Sequence, residues 1–166
     1  MGRRADIVAG LAGATPALRR FARALCAGAG PAIADDLVQS ALQSVGARIR
    51  ARELRPADLA EARIEAYAAL VGLAQKKLAN APGPASRHPP VVHGLASLCF
   101  DERAMLLLVS LEGFGYDASA RIVGANRETA LAQLMRARGA LGAEGLRPVA
   151  PLEGGRRAAS HLRVVK

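Results

Sequence analysis

Tryptophan is absent from this sequence, and phenylalanine, tyrosine and tryptophan together make only 3% of it. Alanine and leucine dominate an apolar half instead, a balance that favours close-packed helices over strands rich in Val, Ile and Tyr. No sheet is expected. Cysteine is scarce as well: Cys26 and Cys99 stand alone, with no CxxC or Cys/His spacing. That excludes a disulfide framework or a zinc site, and both thiols are expected to be reduced core residues. Long hydrophobic runs are missing too, so no segment suits a bilayer. The opening MGRRADIVAGLAGATPAL has basic residues before a short apolar stretch, as signal peptides do, but Asp6 interrupts it and helical periodicity continues through Arg19 and Arg20. The expected location is the cytoplasm, with no membrane partner.

A catalytic site is equally hard to find. His88, His93 and His161 fall in a proline-rich stretch and a tail, and no Ser-His-Asp order, phosphate-binding glycine loop or paired-carboxylate pocket is present. The expectation is a protein that binds macromolecules and is not an enzyme, with no cofactor and no metal.

Charge is abundant and uneven. The formal net charge is +9, which suits a polyanionic partner. Residues 1–80 hold twelve basic and seven acidic residues, residues 81–145 six of each, and residues 146–166 five basic and one acidic.

Helical patterning organises the chain. Leu18, Phe21, Ala22 and Leu25 share one face of a helix over about 15–27, which Gly28, Gly30 and Pro31 end. Asp35 is placed to cap the next helix, whose stripe runs Leu37, Ala41, Leu42, Val45 and Ile49. Arg50 to Arg63, with Pro56, reads as a loop entering a third helix over about 57–79, with Leu59, Ile64, Tyr67, Leu70, Val71, Ala74 and Leu78 inward. ANAPGPASRHPPVVHG then contains four prolines and marks a linker. The expected organisation is a helical module over 1–80, a flexible linker over 81–92, a second module over 93–145 and a flexible basic tail over 146–166. In the second module Asp101 is placed to cap a strongly apolar helix carrying Met105 to Leu111, followed by a short helix from Tyr116 to Val123, a turn at Gly124, Ala125 and Asn126, and a long helix from Arg127 to about Leu141. Small Ala120, turn-forming Gly124 and the apolar wedge of Val123, Ala130 and Leu134 have helix-turn-helix spacing.

The segment from Leu95 to Leu141, LASLCFDERAMLLLVSLEGFGYDASARIVGANRETALAQLMRARGAL, resembles region 4, the C-terminal promoter-reading domain of extracytoplasmic-function sigma factors. LRRFARAL followed by ADDLVQSAL looks like the start of region 2 of the same family. The resemblance implies an all-α, two-module protein whose C-terminal module is a winged-helix-like helix-turn-helix. It also implies RNA polymerase core and promoter DNA as partners, an anti-sigma factor as inhibitor, and three sets of site residues. Asp35, Asp36, Leu37, Val38 and Gln39 would face polymerase. Arg127, Glu128, Thr129, Gln133, Arg136 and Arg138 would contact DNA. Tyr67, Lys76 and Lys77 would assist promoter melting.

Departures from the family pattern weaken the nucleotide-facing sets. The stretch EAYAALVGLAQKKLAN offers a single aromatic, Tyr67, where bases would stack, and Ala132 and Gln133 stand where the family commonly has Ser and Arg. Two functions are therefore carried forward: a sigma factor that directs promoter-specific initiation, and a sigma-mimicking module, similar to the sigma-like domain of general-stress response regulators, that binds an anti-sigma factor without binding DNA.

Overall fold

Each helix of the computed structural model starts or stops for a local reason. The structure describes residues 2–27, 29–78 and 90–145, which form eight helices and no strand. No wing therefore appears among the described residues. The helices are α1 (Gly2–Gly13), α2 (Thr15–Leu25), α3 (Pro31–Arg50), α4 (Leu59–Leu78), α5 (Pro90–Ser97), α6 (Phe100–Ser110), α7 (Tyr116–Val123) and α8 (Arg127–Gly145). Residues 79–89 and 146–166, where most of the linker and the basic tail were expected, lie outside the described residues. Pro90 to Val92, also assigned to the linker, open α5.

α1 was not anticipated; its Ile7 and Leu11, one turn apart, are buried in the main core. α3 is capped by Gly30 with proline in its first turn, so Asp35 lies a full turn inside the helix and is not its cap. Its carboxylate instead pairs with Arg19 at 3.5 Å and Arg23 at 3.3 Å. α4 begins at Leu59, two residues later than expected, because Asp58 Oδ1 accepts a hydrogen bond from Glu61 N while the Glu61 carboxylate accepts one from Ala57 N. This reciprocal pairing satisfies amide groups that a helix start leaves free. α6 is capped by Cys99, which places Asp101 within the first turn and, contrary to expectation, leaves the Cys99 residue exposed; Cys26 is buried.

α2, α3 and α4 pack together, with α1 against α3 and α4; α6 packs on α7 and α8, with α5 against α8. The two groups also pack on each other through α2 with α6 and α4 with α7. One hydrophobic core therefore runs from Phe21, Val38 and Leu70 into Leu107, Leu108 and Ile122 of the second group. Smaller clusters hold α8: Leu98, Leu106, Leu134 and Ala137 form one, and Met105, Ala120 and Ala130 the other.

Among the described residues, no helix is long and apolar enough to cross a membrane.

Candidate macromolecular interface

The helix-turn-helix is built by a left-handed glycine and an asparagine cap. Gly124 has φ +71°, and the Ala125 and Gly124 amides donate to the Ala120 and Arg121 carbonyls, the paired bonds of a Schellman ending for α7. Asn126 Oδ1 then accepts from Thr129 N at 2.8 Å and opens α8. Val123 packs with Ala125 against the cluster that holds Ala130, while Leu134 belongs to the neighbouring one.

α8 turns Ala130, Gln133, Leu134 and Ala137 inward. Gln133, expected to face DNA, is only 8% exposed, and its Oε1 has no hydrogen-bond partner. Arg127 is exposed but donates to Asp117 Oδ1 at 2.7 Å, and Arg136 donates to Glu102 Oε1 at 2.8 Å. The Arg136 hydrogen bond holds the Glu102 carboxyl below its ordinary pKa. Glu128, Thr129 and Arg138 are exposed, beside Ala132 and Met135, and the Met135 side chain is 65% exposed. The outward face is thus poor in hydrogen-bond donors for base edges.

On α3 the residues expected to face polymerase divide by helical phase. Asp36 and Gln39 are exposed and Asp35 is half-buried, whereas Leu37 and Val38 are core residues.

Tyr67 and the two lysines of α4 have different environments. Lys76 and Lys77 are exposed at its C-terminal end, but Tyr67 is fully buried. Its ring meets Phe21 edge-on at 5.2 Å and Phe114 at 4.9 Å between centroids. Its hydroxyl donates to Glu112 Oε2 at 2.6 Å, while Arg20 holds the other carboxylate oxygen through Nη2 at 2.9 Å. Burial, reinforced by the Glu112 carboxylate, pushes the Tyr67 phenol above its ordinary pKa. The structure brings Tyr67 to Glu112 of the other module, and it does not bring Tyr67 together with Lys76 or Lys77 on one exposed surface.

Two further residues tie the modules and carried no role in the sequence reading. Glu112 closes the apolar run LLLVSLE, and its side chain is only 1% exposed. Arg103 donates through Nη1 to the Leu25 carbonyl at 2.8 Å and through Nη2 to Ala96 at 3.2 Å and Leu98 at 3.0 Å. One guanidinium thereby joins the end of α2 to the end of α5, and burial lowers its pKa from the ordinary arginine value. A lone charge in a leucine-rich stretch was the available signal for Glu112. Arg103 stands beside Asp101 and Glu102, and no neighbour along the chain signals its contacts.

No protein-family model and no curated protein sequence matches the chain. Solved structures do. The sigma factor RpoE in complex with the anti-sigma factor NepR, from Bartonella quintana, aligns with a TM-score of 0.61 and 24% identity over 81% of this chain and 92% of that one. The anti-anti-sigma factor PhyR complexed with NepR, from the same organism, aligns with a TM-score of 0.61 and 22% identity over 82% of this chain. The chain covers 49% of that chain's length. The all-helical fold is therefore sigma-like.

Proposed function

We propose that this chain is a non-enzymatic, sigma-like interaction module of the cytoplasm that binds an anti-sigma factor and does not read promoter DNA. The observation that carries the reading is the burial of Tyr67, the sole aromatic of its stretch suited to stacking on a base, whose hydroxyl is satisfied by Glu112 of the other module. Stacking needs an open ring face, and base–aromatic contacts contribute about 1–3 kcal/mol per base only when that face is available. The DNA-facing set is similarly occupied: Gln133 turns inward, and Arg127 and Arg136 are ion-paired within the chain. Equal numbers of basic and acidic residues over 81–145 supply little phosphate affinity. The anti-sigma partner is inferred from the two similar structures, each a complex with NepR.

A second reading, a promoter-directing sigma factor of the extracytoplasmic-function type, is supported by the similarity to the sigma factor RpoE and by the exposure of Asp36, Gln39, Lys76 and Lys77. It assigns polymerase contact to Asp35, Asp36, Leu37, Val38 and Gln39. Promoter contact falls to Arg127, Glu128, Thr129, Gln133, Arg136 and Arg138, and melting to Tyr67, Lys76 and Lys77. It requires the connection between α6 and α7, which carries Glu112 and Phe114, to leave α4 before Tyr67 can act.

Purified full-length chain is to be mixed with NepR in size-exclusion chromatography and, separately, with polymerase core in run-off transcription over a promoter library. A stable complex with the anti-sigma factor, no promoter-dependent transcript, and unchanged complex formation by Arg127→Ala/Gln133→Ala are the expected results. Promoter-selective transcripts lost in that double variant would overturn the first reading in favour of the second.

A further inference from the structure

Away from the surfaces already described, a half-open cavity of about 1040 Å³ lies between α1 and the connection from α3 to α4. Its size is at the upper end of small-molecule sites, about 300–1,000 Å³. The apolar part is Ile7 and Val8 from α1, Ile49 from α3, and Leu54 and Pro56 from the connection. Arg50, Arg52 and Arg55 also line it, and no carboxylate does; Arg55 Nε donates to the Arg52 carbonyl at 3.3 Å. These arginines are exposed, and no ion pair among the described residues involves them. The lining thus combines apolar side chains from α1, α3 and the connection with three arginines from the end of α3 and the connection that follows it.

A second observation marks the arginine-bearing segment. α3 ends in a Schellman motif, with Glu53 N donating to the Arg48 carbonyl and Arg52 N to the Ile49 carbonyl. Glycine usually occupies the left-handed position of that motif. Here the residue is Arg52, at φ +65°. A side chain is kept where the backbone conformation disfavours one, and backbone strain of this kind concentrates at functional sites.

We propose that this cavity binds a free single-chain anionic amphiphile, its carboxylate at the arginines and its hydrocarbon along α1. The proposal is independent of the anti-sigma reading. Guanidinium forks match a carboxylate bidentately, and the apolar lining removes methylenes from water. With three arginines within six residues of the lining, positive charge is concentrated for one headgroup. The chain's own 146–166 segment, with five basic residues and one acidic, has the wrong sign for this rim.

The test is isothermal titration of the full chain with dodecanoate below its micelle concentration, beside octanoate, dodecyltrimethylammonium and an acidic amphipathic peptide. Saturable dodecanoate binding is expected, weaker for octanoate by about tenfold or more because four methylenes are lost, and absent for the cationic amphiphile. Arg50→Ala/Arg55→Ala should weaken it at least about tenfold, as loss of charge-assisted hydrogen bonds does. Val8→Trp, which takes up part of the apolar surface along α1, should weaken it. Equal binding of the cationic amphiphile overturns the proposal. So do dodecanoate binding unchanged in the arginine variant, binding of the acidic peptide alone, and co-sedimentation with phosphatidylglycerol vesicles without binding of monomeric dodecanoate.

Discussion

The Tyr67 hydroxyl donates a 2.6 Å hydrogen bond to Glu112 Oε2 across the boundary between the two helical modules. Both ends are out of water, Tyr67 fully and the Glu112 side chain to within 1%. Hydrogen bonds to charged groups contribute about 1.5–3 kcal/mol, and a buried group left without its partner loses its solvation as well. Tyr67→Phe should therefore lower the unfolding free energy in urea by about 1–2 kcal/mol, and Glu112→Ala by about 2–4 kcal/mol because it also strands the Tyr67 hydroxyl. A double-mutant cycle should return a coupling of about 1 kcal/mol or more. Additive effects would mean that the bond contributes nothing to joining the modules.

The same contact sets an alkaline limit. Burial first, and Glu112 second, raise the Tyr67 pKa in the folded chain, so the unfolded chain releases that proton first as pH rises. The contribution of Tyr67 to stability should be flat below the ordinary tyrosine pKa of about 10 and decline above it. Tyr67→Phe should remove most of that decline in denaturation curves measured from pH 8 to 11. On the acid side Glu102, held low by Arg136, acts in the opposite sense: its contribution is present above its ordinary pKa and lost as pH falls. Arg136→Ala should reduce that loss, by a small amount because the Arg136 side chain is 59% exposed.

Arg103 reaches three carbonyls that have no other side-chain donor among the described residues. Arg103→Met, which keeps the apolar stem, should cost about 2–3 kcal/mol. It should also raise amide hydrogen exchange at the end of α2 and in α5. Lysine is a poor substitute, since its single nitrogen cannot present the planar fork that spans Leu25, Ala96 and Leu98. Full stability of the Met variant would assign these contacts no structural weight.

Two Schellman endings in one chain give a prediction of opposite signs. Gly124 has φ +71° and open space around its missing side chain, so Gly124→Ala should destabilise by about 1 kcal/mol through backbone conformation alone. Arg52 occupies the equivalent position at φ +65°, and Arg52→Gly should stabilise by about 0.5–1 kcal/mol. Thermal denaturation of both variants checks the pair. A loss of stability on Arg52→Gly would show that the arginine side chain makes a contact that outweighs its backbone strain.

The elements legible in the sequence were those set by neighbours along the chain. Tyr116 to Val123 was recognisable as a helix from end to end because Gly115 and Gly124 bound it. Boundaries were misplaced where competing caps stood close together. Gly30 with Pro31 starts α3 before Asp35 can cap it, and Cys99 does the same ahead of Asp101. α1 escaped notice because only Ile7 and Leu11 of its short apolar stretch are fully buried, and they bury against helices far along the chain. The candidate site was less legible still. Helical phase set Tyr67 on the inward stripe with Leu70 and Ala74, as found, against the melting role the resemblance implied; Gln133 was expected to face DNA, because the helices that cover it are set by packing and not by its neighbours along the chain. Phe114 and Glu112 cover Tyr67, and nothing within twenty residues of it announces them.

A core that continues from Phe21 and Leu70 into Leu107 and Ile122 turns separation of the halves into a partial unfolding reaction. Any binding partner that takes up the halves apart must first rehydrate those side chains. Its measured affinity falls below its intrinsic affinity by the fraction of molecules already parted. A partner that grips the halves as they stand incurs no such penalty, so competition between the two kinds of partner is weighted in advance by hydrocarbon contact alone.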